Sequence, residues 1–97
     1  MIWDRAVKRI ETVKIMLADS DELADAGAYE RAAEYANCAG DCAEAACAAF
    51  DGLADCLRSA MNANPNECER WESLADCAAR LVNAAENRYA HCVNLID

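Results

Sequence analysis

Between Ile2 and about Ala18 the apolar residues return at helical spacing. Trp3, Val7, Ile10 and Leu17 share one face, with Ala6 and Val13 at its edges, while Arg5, Lys8, Thr12 and Asp19 project the other way. Ile15 and Met16 fall outside this stripe, as contact with a second neighbour would require. The run Asp19-Ser20-Asp21-Glu22 carries N-cap chemistry, because Asp19 with Glu22 three residues on fits a capping box. Carrying one helix through Leu23 would set that leucine roughly 140° from the stripe centre, at about 100° per residue. The pattern therefore predicts a turn near Asp19–Ser20, a short helical stretch beyond it, and Gly27 as the C-cap.

From Ala28 to about Met61 nearly every residue favours helix. Ala32, Ala36, Ala39, Ala43, Phe50, Leu53, Ala54, Leu57 and Met61 form one apolar arc, and acids lie opposite. Gly40 and Gly52 each cost about 1 kcal/mol against alanine inside a helix, so each marks either a kink or a close backbone approach. Asn62-Ala63-Asn64-Pro65-Asn66-Glu67 is the clearest boundary: Asn64 suits the N-cap, Pro65 the first helical position, and Glu67 completes a box. A last helix then runs to about Ile96, with Trp71, Leu74, Ala75, Ala78, Leu81, Val82, Ala85, Tyr89 and Val93 along one arc. Nothing alternates with period two. The reading is all-α: one domain over residues 1–97, an antiparallel bundle of three or four helices with an alanine-rich core.

Composition sharpens this picture. Hydrophobic residues make up 56% of the 97, but 23 are alanine and six are aromatic, so each helix buries little area and self-association becomes an expectation. The net charge of −9 argues against gripping nucleic acid by its phosphates. Charges at Asp4, Arg5, Lys8, Arg9 and Glu11 break any apolar leader, and no run approaches the roughly 18 apolar residues of a membrane span. The expected setting is the cytoplasm, where the seven cysteines are reduced thiols.

One pattern occurs twice. Cys47-Ala-Ala-Phe50-Asp51-Gly52-Leu53-Ala54-Asp55-Cys56 matches Cys68-Glu-Arg-Trp71-Glu72-Ser73-Leu74-Ala75-Asp76-Cys77, and two copies on consecutive helices imply one packing role used twice. Cys38 and Cys42 stand one turn apart, a spacing that suits a soft cation such as Cu(I) or Zn(II), and Cys47, Cys56, Cys68, Cys77 and Cys92 are available to extend the set. The segments Asn37-Cys38-Ala-Gly-Asp-Cys42-Ala-Glu-Ala and Asp76-Cys77-Ala-Ala-Arg-Leu resemble the alanine- and cysteine-rich helices of the four-helix copper-storage proteins. Such a resemblance implies a bundle interior lined by dense cysteine rows, whereas this chain holds a single i, i+4 pair. On a helical wheel only Cys42 and Cys92 approach the core, and the other five sit on its flanks. Boundary packing is therefore the preferred reading for the cysteines, ahead of thiol metal binding and of a redox-sensing thiol, with no metal and no cofactor expected.

Enzymatic motifs are missing from the sequence: no CxxC, no HExxH, no P-loop and no nearby serine–histidine–acid grouping. The lone His91 suits a dipole partner near a helix end. A non-enzyme is expected. Charge is distributed unevenly: residues 1–16 hold four basic and two acidic groups, while residues 17–97 hold five basic and sixteen acidic. Glu30, Glu34, Asp41, Glu44, Asp51 and Asp55 would form an acidic ridge able to dock on a basic, nucleic-acid-binding surface of another protein. In size, charge and class the chain is similar to compact acidic inhibitors of phages and mobile elements, some anti-CRISPR proteins among them. The expected function is an acidic protein-binding module of inhibitor type, with a small thiol-based Cu(I) or Zn(II) store as the alternative.

Overall fold

The computed structural model describes residues 2–60 and 64–96, and within them three helices run up, down and up: α1 Ile2–Asp25, α2 Tyr29–Ser59 and α3 Pro65–Asn94. They pack as a slender antiparallel bundle of 56 × 21 × 14 Å, in which α2 is the shared neighbour and α1 leans on it more than on α3. Among the described residues no helix is long and apolar enough to cross a membrane.

Most inward residues follow a 3–4 alternation, with Ala33 and Ala54 buried beside it in α2 and Tyr89 exposed at its place in α3. In α1 these are Trp3, Ala6, Ile10, Val13, Leu17, Ser20 and Ala24, all buried or half-buried. In α2 they are Ala32, Ala36, Ala39, Ala43, Ala46, Phe50, Leu53 and Leu57, and in α3 Cys68, Trp71, Ala75, Ala78, Val82, Ala85 and Cys92. Spacing of 3.5 residues is that of left-handed coiled coils, and against it a straight 3.6-residue wheel drifts by about 20° per heptad. The drift accounts for Val93, placed on the apolar arc but 41% exposed, and Cys92 is fully buried as the wheel suggests. Tyr89 occupies an inward position of the 3.5-residue series and is nonetheless 44% exposed.

The expected turn at Asp19–Ser20 does not form, because Ser20 continues the Ala6–Val13 series into the core. Its hydroxyl donates to the Ala32 carbonyl at 2.7 Å, so the buried polar group is satisfied and α1 needs no N-cap there. α1 instead ends at Gly27, as its sequence predicts. Gly27 takes φ +84°, its N–H donates to the Ala24 carbonyl, and the Ala28 N–H donates to that of Leu23, which is the Schellman pattern. At the start of α3, Pro65 occupies the first turn and Asn64 Oδ1 accepts from the Asn66 N–H at 2.9 Å. The Glu67 N–H goes to the Asn64 carbonyl. Met61, Asn62 and Ala63 lie outside the described residues.

Three clusters stack along the bundle. At one end Trp71 meets Trp3 edge-on (centroids 5.2 Å apart) and Phe50 at 5.7 Å, over Ala6, Ile10, Ala46, Ala54, Ala75 and Ala78. In the middle Val13 packs on Ala39, Ala43 and Ala85. At the other end Leu23 and Ala24 close over Ala32, Ala33 and Cys92, and an Arg88–Asp21 ion pair joins α3 to α1. The two sequence repeats do bury matching positions: Phe50 and Trp71, Leu53 and Leu74, and Ala54 and Ala75 all belong to the aromatic cluster. α2 is unbroken at both glycines. A Cβ on Gly40 would lie 3.4 Å from Ala85 Cβ, whereas one on Gly52 would meet nothing within 4 Å.

Candidate functional site

All six acids of the ridge, Glu30, Glu34, Asp41, Glu44, Asp51 and Asp55, are exposed on the outer side of α2, but they do not act as one unit. At 1.5 Å per residue they extend over roughly 37 Å. Asp55 is paired with Arg58, which also meets Glu72. Asp51 faces the Cys47 thiol at 3.9 Å. Glu30 borders a separate hollow with Tyr29, Arg31 and Ile96. Glu34 lies between these groups.

The structure brings Asp41 and Glu44 together with two residues of α3. They rim a groove of about 160 Å³ whose other wall carries Glu86 and Tyr89, and Ala36, Gly40 and Ala85 line it as well. The groove owes its depth to Gly40 and Ala85, since neither presents more than a methyl group where α2 and α3 approach. Among the described residues Asp41, Glu44 and Glu86 make no ion pair within 4.0 Å. Three uncompensated carboxylates beside a 44%-exposed tyrosine ring suit a guanidinium or ammonium group. The carboxylates supply acceptors, and the ring face attracts the cation. Glu86 and Tyr89 are absent from the sequence-derived ridge. The available signal is Gly40, for which the sequence leaves open a kink or a close backbone approach, and only the structure shows that Ala85 is what approaches it.

The seven cysteines are all free and dispersed. Cys38, Cys42 and Cys56 are exposed, Cys47 and Cys77 half-buried, Cys68 and Cys92 buried. Two expectations need correcting. Cys42 was placed near the core but is exposed in an open groove against α1. Cys68 was placed on a flank but is buried, because it stands one heptad before Ala75 and shares its inward face. The Cys47 thiol donates to the Ala75 carbonyl at 3.5 Å, and burial first, then the Asp51 and Asp76 carboxylates, push its pKa upward. Among the described residues no three of His, Cys, Asp and Glu converge as a ligand set. No family model matches the chain, and the searches of curated proteins and of solved structures likewise return no match.

Proposed function

We propose that this chain is a non-enzymatic binding module that docks its acidic α2–α3 groove on a basic, nucleic-acid-binding surface of a partner protein and so acts as an inhibitor of that surface. The observation that carries this reading is the set of unpaired carboxylates Asp41, Glu44 and Glu86 around a glycine–alanine floor, with Tyr89 beside them. An arginine or lysine side chain of the partner enters the groove, and the remaining acids of α2 steer the approach.

The test uses an oligo-arginine peptide as probe and two triple variants of equal charge. Asp41→Asn/Glu44→Gln/Glu86→Gln empties the groove of charge, and Glu11→Gln/Asp25→Asn/Glu69→Gln removes the same charge from exposed positions elsewhere. At about 0.2–1 kcal/mol per exposed pair, the groove variant loses affinity by roughly tenfold and its salt dependence flattens. The control variant loses much less. Equal losses would show that net charge alone is felt, and the docking groove would be abandoned.

A further inference from the structure

On another side of α2 lies a groove of opposite character. Arg5, Lys8 and Arg9 of α1 line it together with Thr12; Val13, fully buried, borders it too, and Cys42 and Ala45 of α2 form the facing wall. About 440 Å³ of space lies between these walls. In a chain with twice as many acids as bases, three of the nine cations gather here. Among the described residues none of the three makes an ion pair within 4.0 Å. The helical register explains the gathering. Arg5 and Arg9 stand one turn apart on the side turned away from Asp4 and Glu11, and Lys8, which has Asp4 and Glu11 as its i−4 and i+3 neighbours, pairs with neither within 4.0 Å. The opposite wall is small and uncharged, which leaves the cations uncompensated and the thiol reachable.

We infer that this groove is a site for small anionic disulfides, and that Cys42 is the residue they modify. The three cations hold the carboxylates of the reagent. The Cys42 sulfur, as thiolate, then attacks one sulfur of the reagent: a Cys42–reagent disulfide forms, the reagent's own S–S bond breaks, and its other half leaves as a thiolate that takes up the proton Cys42 gave up. The oxidising equivalent comes from the anionic disulfide itself. Negative charge spreads over three sulfurs in the transition state, and the neighbouring guanidinium and ammonium groups stabilise it. Cys38 and Cys56 are exposed as well but do not line this groove, so one molecule contains its own controls.

The experiment treats fully reduced protein with oxidised glutathione (anionic), hydroxyethyl disulfide (neutral) or cystamine (cationic), and follows each cysteine by peptide mass spectrometry at early times. With oxidised glutathione Cys42 is modified about tenfold faster than Cys38 and Cys56, in line with electrostatic attraction of a charged reagent. The preference shrinks with the neutral disulfide, disappears with cystamine and falls with added salt. Arg5→Gln/Lys8→Gln/Arg9→Gln, which changes only exposed side chains, removes the preference while far-UV circular dichroism stays unchanged. Equal rates at Cys38, Cys42 and Cys56 with oxidised glutathione would overturn the site. So would a Cys42 preference that survives the triple substitution.

Discussion

Gly40 and Gly52 lie in the same helix with no positive φ, yet the structure assigns them opposite tolerances. Replacing either by valine relieves the same backbone entropy, worth a few tenths of a kcal/mol. At Gly52 nothing lies within 4 Å of the added Cβ, so Gly52→Val leaves stability within about 0.5 kcal/mol of the parent. At Gly40 the Cβ alone lies 3.4 Å from Ala85 Cβ, already just inside the optimum of about 3.5–4.0 Å for two carbons. Alanine therefore still fits at position 40. Two γ-carbons do not, and overpacking of this kind costs about 1–3 kcal/mol. Thermal unfolding followed by circular dichroism separates the cases, because 1 kcal/mol shifts Tm by about 4–8 °C in a domain of this size. Gly40→Val melts well below both Gly52→Val and Gly40→Ala. Coincident melting of the two valine variants would mean that α2 and α3 do not meet at Gly40, and the groove of Asp41, Glu44, Glu86 and Tyr89 would lose its floor.

Gly27→Ala forces a side chain into the left-handed region at the α1 C-cap and lowers stability by about 1–2 kcal/mol in urea unfolding; an unchanged midpoint would refute the Schellman geometry. At pH 8 iodoacetamide modifies Cys56 before Cys47, whose raised pKa leaves less thiolate, and Asp51→Asn narrows the gap; a Cys47 that reacts first would contradict its burial. Because folding favours the neutral Cys47 thiol, its contribution to stability is whole below the ordinary thiol value of 9.0 and drains as pH rises above it, so Cys47→Ala flattens the alkaline limb of the stability–pH curve.

Helix identity and most boundaries were readable from local chemistry. Gly27, Asn64 and Pro65 terminate helices through their own backbone preferences, which need no tertiary partner. The turn expected at Asp19–Ser20 fails for the complementary reason. Asp19 and Glu22 have the spacing of a capping box, but the Ala32 carbonyl across the bundle accepts from the Ser20 hydroxyl and α1 continues. Half of the candidate groove was legible, since Asp41 and Glu44 project from α2 whatever it packs against. Glu86 and Tyr89 were not, because pairing them with Asp41 and Glu44 needs the register between α2 and α3.

By itself the sequence determined the all-α class, the α1 and α3 caps, the alanine-rich core and the charge difference between the first sixteen residues and the rest. Those properties arise within a turn or two of helix, where side chains at i, i+3 and i+4 share a face. The tertiary structure decided which faces meet. Wrapping at 3.5 residues per turn brought Cys68 and Ser20 inward and left Val93 exposed. It also sorted the charge into two grooves flanking α2, one acidic against α3 and one basic against α1. Long-range packing alone sets that arrangement, because each groove is built from two helices and neither helix encodes the position of its neighbour.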